Sequence, residues 1–275
     1  MRVVTIALVL ALGLVVSPAA QESNGAARAR TLDSLLDLYV RNGEVYYRAI
    51  KSERARLDSY IAQLANASVD KEPRDEQLAF WLNAYDALVL RTIADHYPIV
   101  GKSGDYPAKS IRQIPGAFER LTHRVAGRTL TLDQIEQTIL SGFHDPRVYF
   151  AIGRGAVGSG RLRSEAFTAA RLEEQLADVA AECVTRAQCV AIDRGTGRIA
   201  ISPIFSWREK EFAAAYADKA PAAFASRSPI ERAAIAFVLP QLLATEKEFV
   251  VKNAFQITYS KFDWTLNDLS GRGGR

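Results

Sequence analysis

The stretch Glu76–Ala94 constrains the fold of this chain more than any other. It is the longest strongly apolar run outside the N-terminus and contains neither Gly nor Pro, which predicts a helix. At about 100° per residue, Leu78, Trp81, Leu82, Tyr85, Leu88 and Val89 form one wide apolar arc. Phe80, Ala84 and Ala87 cover much of the remaining surface. A helix apolar on most sides belongs in the middle of a domain. Its polar residues form a narrow row: Glu76 and Asn83 stand seven apart and nearly in line, with Asp86 one turn further on. Buried carboxylates and amides need hydrogen-bond partners, so this row is expected to face a polar network or a cleft.

Residues 1–20 read as a signal peptide: Arg2 is the charged region, Val3–Val16 the apolar one, and Ser17-Pro18-Ala19-Ala20 the small residues for cleavage. The run is short of the ~20 apolar residues that a membrane span requires, and no later stretch reaches that length. No Cys follows it, which argues against a lipid anchor. The expected destination is outside the cytoplasm, periplasmic or secreted, with no transmembrane segment once the signal is cut. The remainder, 48% hydrophobic and 24% charged across the whole sequence, is enough for one sizeable core over residues 31–269. The Gly/Arg tail 270–275 is expected to be disordered. A formal charge of +4, without Lys/Arg blocks interleaved with aromatics, gives no support for a nucleic-acid partner.

The only two cysteines, Cys183 and Cys189, are six apart and precede a β-like run. In an exported chain such a pair is expected to form a short disulfide staple. Helices are expected over 31–40 and 54–66, stopped first by Asn42-Gly43. Arg124–Leu130 reads as a hairpin turning at Gly127. Thr131 and Gln134 form a capping box opening a helix through Leu140. Val148–Ile152 reads as an apolar strand, and Gly153–Gly160 as a glycine-rich turn lacking the Gly-Lys-Ser/Thr ending of a phosphate loop. Residues 189–192 and 198–201 form a second hairpin, 205–216 and 229–243 are helical, and 254–259 is a last strand. The fold class is α+β: a predominantly helical single domain around the buried central helix, with a small antiparallel sheet.

Several segments together resemble one family. They are Glu76-Gln77 with Phe80–Leu88, Lys109–Arg112, Leu130–Glu136, Asp145–Ile152, Ile201–Trp207 leading to Phe212, and Asp263–Asn267. Their order and spacing are similar to the domain-of-unknown-function family 547, which includes exported bacterial members. The resemblance spans roughly 31–269. It implies helices with a small mixed sheet, and no established reaction. The chain departs from the family pattern at three places: Gln137 and Tyr149 stand where His is usual, and Gly153, Arg154, Ser159 and Gly160 stand where an Asn/Cys-rich loop ends in Cys-Pro. A thiolate nucleophile needs a base within hydrogen-bond reach, and here both are missing.

The three histidines, His96, His123 and His144, are scattered and fit no metal-ligand spacing, so no metal and no cofactor is expected. Glu76, Asp86, Glu136 and Asp263 fall in matched segments; they are either an acid/base pair or a structural network with Asn83, Arg112 and Arg147. Trp81, Tyr85, Trp207 and Trp264 are either core or the lining of a groove. The candidate cleft therefore comprises Glu76, Trp81, Asn83, Tyr85, Asp86, Glu136, Arg147, Ser159 and Trp264, with no catalytic residue assigned. The favoured function is binding or scaffolding of a small molecule, glycan or envelope protein. The competing reading is a hydrolase or transferase of cell-envelope material using Glu76, Glu136 or Ser159.

Overall fold

The structure, a computed structural model, describes residues 24–269. The expected signal peptide at 1–20 and disordered tail at 270–275 lie outside the described residues.

The central helix runs from Arg74 to His96, and every residue from Leu78 to Leu90 is buried. Pro73 precedes it, and Asp75 and Glu76 in its first turn complement the helix dipole. Tyr97-Pro98 ends it in extended backbone. Helices Asn24–Tyr39, Tyr47–Ser52 and Ala55–Ala65 pack on it from one side. The segment 132–143 packs on it from another.

That segment opens as the capping box predicts. Thr131 Oγ1 accepts from Gln134 N at 3.1 Å, and Gln134 Oε1 accepts from Thr131 N at 2.9 Å. It does not continue as a regular α-helix: one turn, Leu132–Gln134, widens into a π-helical turn at Ile135–Ile139 and tightens into a 3₁₀ turn at Leu140–Phe143. Wide turns of this kind concentrate at functional sites.

Val148–Ala151 is a helical turn rather than the expected strand. A short, wholly buried apolar run fits either state by periodicity. Asp145-Pro146 decides it: proline supplies helical φ, and the Asp145 carboxylate accepts from Arg147 N at 3.1 Å. Asn42-Gly43, both at positive φ, turns a short hairpin between Val40–Arg41 and Glu44–Val45. Ala126-Gly127 does the same between Thr122–Val125 and Arg128–Thr131.

The C-terminal half builds a second part of the same core. Val190–Asp193 pairs antiparallel with Arg198–Ile201, as the spacing predicts, and Gln256–Tyr259 adds to Arg198–Ile201 in parallel, making a small mixed sheet. A parallel neighbour requires a crossover, supplied by Pro229–Val238 and by Ala244–Lys252, a helix that the sequence pattern does not predict. The expected helix 205–216 is broken at Arg208 into Ile204–Trp207 and Glu209–Tyr216. Phe150, Phe205, Phe212, Tyr216 and Phe237 interlock, with Phe205 and Phe212 centroids 4.6 Å apart. Cys183 and Cys189 form the expected disulfide between helix Leu172–Thr185 and this sheet.

The chain then returns across its own middle. Backbone hydrogen bonds join Val157 N to Thr265 O, Gly158 N to Asp263 O, Leu266 N to Lys109 O and Val45 N to Asn267 O. Asn267 also accepts from Tyr47 Oη at 2.7 Å and donates to Gly43 O at 2.8 Å. Three separate stretches are thereby tied to one segment.

The glycine turn is pinned by close approach. A Cβ on Gly160 would sit 1.6 Å from Phe150 O, a backbone atom that cannot step aside, whereas one on Gly142 would meet nothing within 4 Å. Gly160→Ala is therefore expected to lower stability by ~2–3 kcal/mol or more, and Gly142→Ala to leave it within ~0.5 kcal/mol, as measured by denaturant unfolding.

Candidate functional site

The centre of the site is a buried carboxylate. Glu136, 6% exposed, lies in the π-helical turn. Arg154 grips it with two hydrogen bonds, Nη2 to Oε1 at 2.7 Å and Nε to Oε2 at 3.2 Å. Arg208 adds a third, Nη2 to Oε1 at 2.6 Å, and the Tyr85 hydroxyl donates to Oε2 at 3.1 Å. Both arginines are almost fully buried. Burial alone would push the Glu136 pKa up; the Arg154 and Arg208 guanidiniums outweigh it and hold it at about 2.

Each partner is positioned by a different part of the chain. Tyr85 comes from the central helix and Arg154 from the glycine turn, where its Nη1 also donates to Tyr149 O at 3.1 Å. Arg208 sits at the break between two helices. Its guanidinium lies over the Tyr149 ring, 4.3 Å from the centroid, and donates to the Gln137 side chain. Gln137 and Tyr149 thus meet the Arg154–Arg208 guanidinium pair.

Above Glu136 opens a cleft of about 270 Å³, walled by Arg112, Phe118, Asp133, Gln137, Trp207 and Trp264 together with Glu136, Arg154 and Arg208. Arg112 spans two rings, with its guanidinium carbon 4.5 Å from the Phe118 centroid and 4.7 Å from that of Trp264. It pairs with Glu119 through Nη1, but its buried Nε has no hydrogen-bond partner. Asp133 lines the same cleft, its pKa raised by burial and by the charges of Glu119 and Glu136, against the pull of Arg112 and Arg208. Trp207, 47% exposed, packs on Phe262 and Trp264 at the rim.

The sequence-derived candidates divide. Glu136 and Trp264 line this cleft, and the fully buried Tyr85 donates to Glu136. Asn83 faces the other side of the central helix, where its amide exchanges hydrogen bonds of 2.8 Å with the backbone N and O of Phe167. Glu76 and Asn83 border a separate cavity of about 90 Å³ with Arg28, Tyr60 and Phe80. Trp81 is core, packed edge-on against Phe80. Arg147 binds Asp145 and Glu173 near the surface. Ser159 is buried, its Oγ accepting from Arg154 N at 3.0 Å, which shapes the turn that aims Arg154. Asp86 lies beneath the same turn and accepts from Gly153 N at 2.7 Å. Sequence reasoning did not single out Arg208 or Asp133. Arginine is mostly exposed, so nothing in the local pattern marks Arg208 as buried. The wide turn that brings Asp133, Glu136 and Gln137 to one wall has no periodicity signature.

No group of His, Cys, Asp and Glu that could hold a metal ion occurs among the described residues. Residues 69–184 match the family model described as "Protein of unknown function, DUF547". Over that span the resemblance drawn from the motifs holds. A search of curated proteins and a search of solved structures each return no match. The matched span contains Arg112, Asp133, Glu136 and Arg154, and ends before Trp207, Arg208 and Trp264.

Two substitutions probe this network. Glu136→Ala strands two buried guanidiniums and is expected to cost ~3–5 kcal/mol in denaturant unfolding at pH 7. Asp86 behaves in the opposite sense. Burial raises its pKa to about 8, against the Gly153 N–H and the Arg154 charge. Its protonated form is the one the fold favours, so the stability it contributes is full below pH ~4 and falls as pH rises from ~4 to about 8. Asp86→Asn keeps an acceptor for Gly153 N–H and is expected to raise the melting temperature at pH 8 by several degrees. At pH 4 it should change little.

Proposed function

We propose that this protein is an exported binding protein whose cleft between Arg112 and Arg208 takes an anionic small molecule. The observation that carries this reading is Arg112: a guanidinium laid on two aromatic faces, with a buried Nε–H that no protein acceptor meets. A buried donor without an acceptor costs ~1–3 kcal/mol, so the protein's own acceptors leave the Arg112 guanidinium incompletely matched where it lines the cleft. Arginine's rigid fork is suited to carboxylate and phosphate groups. Arg154 and Arg208 on the cleft floor are matched by Glu136 and Glu211, so the cation that meets an incoming anion is Arg112 on the wall.

Binding is favoured over the hydrolase or transferase reading by the state of the possible reagents. Ser159 has no base beside it and its oxygen is engaged by a backbone N–H. Glu136 is held ionised by two arginines, so it serves poorly as a proton donor or acceptor near neutral pH. Export is supported by the leader-like N-terminus and by the Cys183–Cys189 disulfide, which persists in oxidising compartments. Among the described residues no helix is long and apolar enough to cross a membrane.

Titration with acetate and with inorganic phosphate, followed by the fluorescence of Trp207 and Trp264, tests the reading. Saturable millimolar binding is expected for at least one, weakened about tenfold or more in Arg112→Ala, as loss of a charge-assisted hydrogen bond implies. Absence of any saturable change with either anion would refute it.

A further inference from the structure

Three features of the cleft remain unused by a bare anion. Asp133 lines the same cleft as Arg112, and among the described residues no side-chain hydrogen bond closes on its carboxylate. A simple anion would be repelled by that group. Trp207 and Trp264 stand at the rim with planes inclined by only 18°, and Trp207 keeps nearly half of its surface in solvent. Large exposed tryptophans beside charged groups mark binding surfaces rather than core. Gln137 adds an amide on the wall that carries Glu136.

From these we infer that the ligand is a sugar ring bearing an acidic group, a uronic acid or a sugar phosphate, and this rests on the anion-binding reading above. The acid takes the open donors of Arg112. Ring hydroxyls, which can donate, satisfy Asp133, something that neither acetate nor an aromatic carboxylate can do. The apolar C–H face of the ring lies on the indoles of Trp207 and Trp264, which supply apolar area at little entropic cost. A cleft of about 270 Å³ is at the small end for ligand pockets and suits one ring or the terminal unit of a glycan.

The test pairs ligands that share an anion and differ in the ring: glucuronate against acetate, and glucose 6-phosphate against inorganic phosphate, with glucose and benzoate as further arms. Isothermal titration of the full chain measures each. Glucuronate or glucose 6-phosphate is expected to bind at least about tenfold tighter than its bare anion, and tighter than glucose. Whichever pair shows the excess identifies the acidic group. Trp207→Ala should shrink that ratio about fivefold or more, and Trp207→Phe should retain most of it. Asp133→Asn should lower the sugar-acid affinity and shift its pH profile, which a purely structural role would not do. Thermal melts of each variant verify folding.

Equal binding of ring-bearing and bare anions would overturn this inference and leave the anion reading standing. Benzoate binding as tightly as glucuronate would likewise overturn the sugar assignment. Binding of glucose alone, with no anion binding, would overturn both.

Discussion

The molecule is organised by the cost of placing Glu136 out of water. An ionised carboxylate at that depth is tolerable only when enclosed by partners, and the chain brings Tyr85, Arg154 and Arg208 from three distant segments to enclose it. Once those are fixed, much else follows. The glycine turn must pass close to Phe150 O and to the backbone of Asp263, since only that path delivers Arg154. The helix carrying Arg208 must break at that residue to turn its side chain inward. The central helix supplies the wall on which all of this is assembled, and for that reason it is apolar around most of its circumference.

The two faces of that helix do different work. On one, Asn83 mimics a strand partner for Phe167 and binds a loop to the helix without any part in the cleft. On the other, Tyr85 touches the charged centre. Asp86 lies beneath the glycine turn as a single acceptor for Gly153 N, in a setting that favours its protonated form. Asn83 and Asp86, which a helical wheel groups in one polar row with Glu76, therefore serve unrelated purposes. Three residues well apart in the sequence meet at the charged centre: Gln137 and Tyr149 both contact Arg208, and Arg154 shares its carboxylate.

Much of this architecture was legible in the sequence, and the illegible part has identifiable causes. The central helix was readable because nothing in Glu76–Ala94 interrupts it, and the Thr131–Gln134 box because its chemistry is local. The hairpins at Gly127 and Gly195–Gly197 declare themselves through turn residues. Glu136, Tyr85 and Trp264 were all flagged, but which carboxylate meets which arginine is a matter of long-range packing, and sequence spacing carries no information about it. Val148–Ala151 was misread because burial on all sides removes the periodicity that separates helix from strand, leaving Asp145-Pro146 as the only clue. Helix Ala244–Lys252 was missed because only Val250 among its residues is buried, so it has almost no apolar face to betray it.

The wide turn at Ile135–Ile139 has an evolutionary consequence. It holds one residue more than a regular helix would need, and that surplus lets Glu136 reach its arginines while Leu140 still reaches the core. Deleting a single codon there would close the turn into a regular helix with its flanks still in register, and the bulge that carries Glu136 to its arginines would be lost. The leucine would keep its station and the carboxylate would not. Length variation in this short stretch should therefore be purged even though it is locally harmless, and an insertion-deletion scan would find the molecule least forgiving where its helix is least ideal.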